Sequence, residues 1–593
     1  MPLLAQFLFA TIFVLIAATF NLTQGARILV ILPVPLRDHQ IVYRPLVESL
    51  AKRGHNLTIV TTDPENFVNL TSASSVTNGG SVHPKQVELI DLSFAHELSV
   101  LNMLKNQENM MSGSDMMLTV FHVMRTVAVA ELKSPQMQGL LMSNNTVRRH
   151  QRRLSNAHNN GNRDREGEYD AVLVDWSGPA LMNAFAHKFK APLIGITPGG
   201  AYITSHEVIG NPNHPVAFPS IFMPFSEDLS LFQRVASTIF TLKSRYLYFN
   251  EELPKQDEIV KKFFGPGTPS IWEIESNADL LLVNCYQALG NARPVGPTTI
   301  HMGGIHAIED KSLPWHLQHF LESQANINAG ADGGGAVGSS SGSGNGGGSI
   351  GGNNIVAYIN LGAMLTRAFV ESHRMEKLVK ILEKSSFDVV LNTNGIGDGY
   401  ALNTTTRMYQ GSDFEQESLL AHENVKLFIT PGGQRDIEDA IHHKVPILGI
   451  SFSSNLEHYL LQIIKHDAGL VSNFDMESSA ELLAKIEAFA ITQRYQKNIN
   501  KLHKILTDEP MRPVERAVWW IEYVLRNNGT QHLRHSWVKL SWVQYLLLDV
   551  VLAVSLITCA FIFAVVWTCI RIRRYSKSLP FEKVTRRTKA KMM

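Results

Sequence analysis

Two residues stand where an enzyme would want acid–base chemistry. His39 lies in "PVPLRDHQIVYRPL", directly after an apolar β-rich run, and Asp175 closes another such run, "YDAVLVD". An imidazole there can face a bound hydroxyl and take its proton. A carboxylate beside it can orient the ring and stabilise its charged form, the division of labour of a catalytic triad without the serine. A loop histidine and a helix-capping aspartate fit the same positions. A third stretch, Val425 to Ser451, "VKLFITPGGQRDIEDAIHHKVPILGIS", reads as strand, glycine turn, helix, strand. Such a turn offers amides and a helix N-terminus to a phosphate, yet Pro431 lacks an N–H and Asp436, Glu438 and Asp439 follow. Those acids favour the positive end of their own helix, and Arg435 either reaches a phosphate bidentately or pairs with one of them.

The elements that position these residues are legible as an alternation. "ARILVILP", "NLTIVTT", "VELIDL", "YDAVLVD" and "APLIGIT" are near-continuous apolar strands, with "YRPLVESLAKRGH" and "GPALMNAFAHKF" as amphipathic crossovers. The second half repeats the pattern with "IVAYINLG", "FDVVLNTNG", "VKLFITPGG" and "VPILGIS", separated by "VESHRMEKLVKILEKSS" and "NLEHYLLQIIKHDAG". Strands buried on both faces and alternating with helices predict an α/β chain with two doubly wound parallel sheets. A ligand cleft then lies at the carboxyl ends of both sets of strands. Between the halves, residues 329–354, "AGADGGGAVGSSSGSGNGGGSIGGNN", have almost nothing to bury and predict a flexible loop. A polar insertion from Arg148 to Glu168 predicts a second solvated loop.

The ends of the chain bear on compartment. Residues 1–26 read as a signal peptide, an apolar run followed by small residues at Gly25 and Ala26. Val550 to Ile570 is a 21-residue run without charge, long enough at about 1.5 Å per residue to span a hydrocarbon core of about 30 Å. The tail 571–593 holds nine Lys or Arg against one Glu, which predicts a cytosolic tail and a lumenal body. Lys589 and Lys591 have the spacing of a dilysine endoplasmic-reticulum return signal. Overall 54 Lys and Arg balance 53 Asp and Glu, which argues against a nucleic-acid partner. Of three cysteines, two fall in the apolar run, so Cys285 alone remains in the body and no internal disulfide can close. Sequons stand at Asn56, Asn69, Asn144, Asn403 and Asn528.

With these residues in place, the chain resembles the membrane-bound UDP-glycosyltransferases of animals, the UDP-glucuronosyltransferase type. The likeness is carried by "RPLVESLAKRGHNLTIVTT", by "VKLFITPGG" with "PILGI", and above all by "PVERAVWWIEYVLRNNGTQHLR" and "LSWVQYLLLDV" before the apolar run and basic tail. The resemblance implies the two-domain GT-B fold: an acceptor-binding domain at 27–300, a UDP-sugar domain at 355–510, helices at 511–545 returning to the first domain and the membrane, a membrane helix at 546–570, and the basic tail. It implies His39 as catalytic base and Asp175 as its partner, inverting transfer to a small lipophilic acceptor, a UDP-sugar as co-substrate with no permanent cofactor and no metal, and residence in the endoplasmic-reticulum membrane as a single-pass protein. Homo- or hetero-oligomers with related transferases are compatible with it.

The donor half departs from that pattern. Pro431 stands on the histidine that contacts the diphosphate, leaving Gly432, Gly433 and Arg435 for the phosphates. Asp439 replaces a ribose-holding glutamate, Asn455 and Leu456 occupy the positions of a sugar-gripping Asp-Gln, Asp413 falls on a uracil-stacking tryptophan, and Ala363, beside Gly362, replaces a serine. Gln416 is kept. One lost charge-assisted hydrogen bond costs roughly 1.5 to 3 kcal/mol and one lost base stack roughly 1 to 3. The sequence therefore leaves two readings: a transferase with an altered donor grip, or a catalytically impaired relative that binds lipophiles or pairs with active transferases.

Overall fold

The computed structural model describes residues 25–578 apart from 73–85, 99–112, 144–167, 221, 224, 226–227, 290–291, 308–311, 331–354, 363–372, 394–406, 413, 452–457, 536 and 538–539. The leader, most of both polar loops, Ala363, Asp413, Asn455, Leu456 and the last part of the tail lie outside the described residues. The chain divides into two compact units, residues 1–533 and 534–593.

The first unit contains two all-parallel sheets. The amino-terminal one orders its strands β3-β2-β1-β4-β5-β6-β7, with β1 Arg27–Leu32, β2 Asn56–Thr61, β3 Val87–Asp91, β4 Ala171–Asp175, β5 Leu193–Thr197, β6 Leu280–Val283 and β7 Thr299–His301. The second orders β10-β9-β8-β11-β12-β13, with β8 Val356–Ile359, β9 Asp388–Asn392, β10 Met408–Gly411, β11 Val425–Thr430, β12 Ile447–Ser451 and β13 Gly469–Asn473. This is the expected pair of doubly wound sheets.

Why both faces are covered follows from the strand composition. Leu29 and Ile31 of β1 pack into one apolar cluster while Ile28, Val30 and Leu32 pack into the other. The second sheet divides likewise, with Val356 and Tyr358 on one side and Ala357 and Ile359 on the other. Apolar residues at successive positions serve both faces because side chains alternate across a strand.

Four strands escaped the sequence pattern: β6 (LLLV), β7 (TIH), β10 (MYQG) and β13 (GLVSN). All but β6 contain polar residues and three of the four are edges, where one side of the ladder needs no partner and the apolar demand relaxes. β6 is apolar but four residues long, too short for periodicity to separate strand from helix.

Helix α1, Arg37–Lys52, follows β1 and buries Val42, Tyr43, Leu46, Val47 and Leu50. Gly54, at φ 90°, turns the chain into β2. Helix α2, Pro513–Asn527, arrives from the far end of the unit and buries Ala517, Val518, Ile521 and Val524 in the cluster that holds α1 and β1. In the second unit, helix α3, Leu548–Ser578, is long and apolar enough to cross a membrane, with mean hydropathy 2.7 over its best window.

Candidate active site

Strand order decides where ligands sit. In the first sheet the order reverses between β1 and β4, in the second between β8 and β11, and crevices open at the carboxyl ends of such switch-point strands. His39 follows β1 and Asp175 ends β4. Gly362 follows β8, and the turn Pro431-Gly432-Gly433 follows β11. Both groups of sequence candidates therefore occupy switch points.

Asp175 is 1 % exposed. Its Oδ1 accepts from the Ser177 amide at 2.8 Å and the Ser177 hydroxyl at 2.6 Å. The same hydroxyl lies 3.4 Å from His39 Nδ1. The expected carboxylate–imidazole pair is thus bridged by Ser177, a residue the sequence reading passed over. A hint was present, because a carboxylate commonly binds the amide two residues on. Burial lowers the His39 pKa below 6.5, against the opposing pull of Asp175 and Asp38. Burial raises that of Asp175, opposed by His39, by the Ser177 hydroxyl and amide, and by the Tyr43 hydroxyl. A lowered imidazole is neutral near pH 7 and able to accept a proton.

A cavity of about 590 Å³, counting its open mouth, reaches the Asp175 and Ser177 members of this group. Asp175, Trp176 and Ser177 line it together with Phe121, Tyr202 and Tyr248. A second cavity of about 560 Å³ shares Phe121, Tyr202 and Thr204 with it and adds Phe222 and Met117. Apolar and aromatic walls with a few polar groups suit a lipophilic ligand.

The glycine turn opens the helix Gln434–His442, and its polar groups are largely committed to one another. Gly432, at φ 101°, gives its amide to Thr430 Oγ1 at 3.1 Å, and the Thr430 hydroxyl donates to Asp436 Oδ2 at 2.5 Å. Gln416 donates to Asp436 at 3.0 Å and to Asp439 at 2.8 Å, while Asn360 donates to Gln416 at 2.6 Å. Gly362 gives its amide to Asn360. Asp439, 1 % exposed, meets His306 Nε2 at 2.9 Å. Burial would raise the Asp439 pKa, but His306 and Arg435 hold it down at about 2. Burial would lower His306, yet Asp439 raises it on balance. Glu417 lies within 4.8 Å of both. Gly433 stays exposed at the helix start.

Arg435 resolves its sequence ambiguity on the side of pairing. Its Nη1 meets Asp38 Oδ1 at 3.0 Å and its Nε lies 3.5 Å from Asp439. Asp38 neighbours His39, so the pair joins the glycine turn to the first turn of α1 across the two sheets. Gln434 adds a second tie, accepting from the Gly200 amide at 2.9 Å and donating to the Asn284 carbonyl at 2.7 Å. Neither Asp38 nor Gln434 stood out in the sequence, since the contacts that tie them to the opposite sheet exist only once both sheets are assembled. Asp436 is pushed up to about 7 by burial, against hydrogen bonds from Thr430 and Gln416, so it is partly neutral at pH 7.

The family model described as "UDP-glucoronosyl and UDP-glucosyl transferase" matches residues 27–333 and 347–584. The chain belongs to the UDP-glycosyltransferase family. UDP-glucosyltransferase 2 of Dactylopius coccus is 25 % identical over 584 residues, 97 % of this chain and 98 % of that one. Human UDP-glucuronosyltransferase 2B15 is 24 % identical over 559 residues, 93 % of each. Among solved structures, the glycotransferase of kitacinnamycin superposes with a TM-score of 0.50 at 15 % identity, covering 84 % of this chain and 99 % of that one, a likeness of fold. The UDP-glycosyltransferase assignment makes the chain a glycosyltransferase whose co-substrate is a UDP-sugar, used without a permanently bound cofactor.

Proposed function

We propose that the protein transfers a sugar from a UDP-sugar to a hydroxyl of a small lipophilic acceptor, with inversion, and that His39 is the base. His39 takes the hydroxyl proton, the oxygen forms a bond to the anomeric carbon from the face opposite UDP, and the bond from that carbon to the diphosphate oxygen breaks, releasing UDP. Asp175, acting through Ser177, orients the imidazole and stabilises its cationic form. The observation that carries this reading is the His39, Ser177, Asp175 chain at a switch point, bordered by an apolar cavity and joined through Asp38 to the donor turn. UDP is received by Gly432, Gly433 and the helix start. Arg435 swings from Asp38 to the diphosphate, and Gln416, Asp439, Gly362, Ala363 and Asn455 take the ribose and sugar. The apolar helix anchors the body to the endoplasmic-reticulum membrane with the body lumenal.

One observation favours the second reading, an impaired relative that binds lipophiles or pairs with active transferases: Gln416 already bonds Asp436 and Asp439, and Arg435 is already paired with Asp38 and Asp439. Titration of UDP into the purified full chain, with radiolabelled transfer to a phenol panel, separates the two. Binding that weakens in Arg435→Ala, with transfer abolished in His39→Ala while binding persists, supports the transferase. No binding at millimolar UDP, restored by Pro431→His, establishes the impaired relative.

A further inference from the structure

The cavity beside Ser177 contains a polar wall that the proposed chemistry does not use. Glu275, 5 % exposed, Gln256, 3 % exposed, and Asn183, fully buried, line it together with Asp175 and Trp176. Asp175 ends β4, whereas Glu275 closes the helix Ile271–Glu275 ahead of β6, so the cavity extends from the reacting edge of the sheet into the layer of helices behind it.

The neighbours of Glu275 in this wall have their hydrogen bonds assigned. Trp176 Nε1 donates to Asn183 Oδ1 at 3.0 Å, which fixes the Asn183 amide so that its NH2 donates to Glu275 Oε1, also at 3.0 Å. Gln256 accepts from the Leu181 amide at 2.9 Å and donates to Glu252 at 3.0 Å, and Glu252 pairs with Arg125. Glu275 Oε2 is left buried without a partner. An unmet polar atom in an otherwise satisfied network costs stability, and a ligand that meets it gains specificity for the same reason. Burial pushes the Glu275 carboxyl up to about 8, opposed by Asn183 and reinforced by Asp257, so at neutral pH it carries a proton to donate.

We propose that Glu275 is a specificity-determining residue of the acceptor pocket, donating a hydrogen bond to a carbonyl oxygen that an otherwise apolar acceptor carries at a distance from its reacting hydroxyl. The inference rests on the acceptor reading of this cavity and assigns it a class of ligand: rigid or extended hydroxy-ketones in preference to their deoxygenated analogues. Val120, Phe121, Met124 and Val208 supply apolar lining of the same cavity.

The test is equilibrium dialysis of the full chain in detergent, without UDP-sugar, so that it is independent of catalysis. The probes are 4-hydroxyphenyl alkan-2-ones of increasing chain length, each paired with the alkylphenol that has CH2 in place of the C=O. Wild type is expected to bind one ketone of the series at least tenfold more tightly than its alkylphenol. Glu275→Met is expected to erase that preference by weakening the ketone alone; it also takes the acceptor from the Asn183 amide, so an unchanged alkylphenol affinity is the control that the pocket survives. Glu275→Gln, whose amide NH2 can donate while its carbonyl still accepts from Asn183, is expected to retain it. A preference that survives in Glu275→Met, an equal loss of both ligands, or no ketone preference at any length overturns the proposal. His39→Ala, assayed in parallel, tests the transferase reading separately, since it removes turnover and leaves the ketone preference intact.

Discussion

Ser177→Ala tests whether Asp175 acts on His39 through the intervening hydroxyl. The substitution removes a 2.6 Å hydrogen bond to the carboxylate and the 3.4 Å contact with Nδ1, while the Ser177 amide keeps its 2.8 Å bond to Asp175. A hydrogen bond to a charged group is worth about 1.5 to 3 kcal/mol. With one of the two bonds to Oδ1 surviving, kcat/KM should fall about tenfold to a hundredfold. The loss should appear in kcat with the acceptor KM nearly unchanged, because the ring is misoriented and the cavity intact. The decisive assay is a double-mutant cycle with Asp175→Asn. If the carboxylate works only through Ser177, the double variant should lie within about threefold of Asp175→Asn alone. Losses that multiply, or a Ser177→Ala enzyme within twofold of wild type, would refute the relay.

Three further outcomes follow from the donor half. Ionised Asp436 repels a diphosphate, and its pKa of about 7 places that repulsion on the alkaline side, so UDP should bind more weakly at pH 8 than at pH 6. A repulsion of about 1 kcal/mol makes this pH ratio roughly three- to fourfold larger in wild type than in Asp436→Asn by calorimetry. Glu438, 2 % exposed, is pushed up from 4.5 to about 7 by burial, against His306 and Gln434. The fold binds that proton where the unfolded chain does not, so its stability is complete below about pH 4.5 and is lost as pH rises through 7. Glu438→Gln should therefore gain on wild type by about 2 to 3 kcal/mol between pH 5 and 8, read as a crossing of melting curves. Gly432→Ala meets both a φ of 101° and a Cβ that would lie 2.3 Å from Leu460 Cγ. It should cost about 2 to 4 kcal/mol, and Leu460→Ala in the same chain should recover the steric part and leave the backbone strain.

The fold was legible because two-sided burial writes itself into sequence as unbroken apolar runs. β1, β2, β4, β5, β11 and β12 each carry one and were read within a residue or two. Edges such as β7 and β10 carry none, and the strand order that places β1 beside β4 is a long-range property no local pattern reports. Asp175 was readable as the end of β4 and His39 as a residue following β1, where the structure places it in the first turn of α1, but Ser177 shows its role only once β4 lies alongside β1. The same limit hid Asp38 and Gln434, whose partners on the opposite sheet are more than a hundred residues away.

Under the proposed function, the glycine turn is a donor site whose polar groups already have partners within the protein. Pro431 offers no amide there, and Asp436 takes for itself the Thr430 hydroxyl and the Gln416 amide, donors that a bound anion would draw on. Arg435 then holds Asp38 beside His39. If a diphosphate is to bind, it must draw Arg435 away from Asp38. That exchange leaves Asp38 unpaired next to the base, and an unpaired carboxylate raises the basicity of an adjacent imidazole. Donor binding and base strength are then linked through one ion pair. Asp38→Asn should uncouple them: UDP should bind more tightly, because Arg435 is released without competition, while the acid limb of the pH–rate profile should move lower. An unchanged UDP affinity together with an unchanged acid limb would show that the Arg435–Asp38 contact has no part in either.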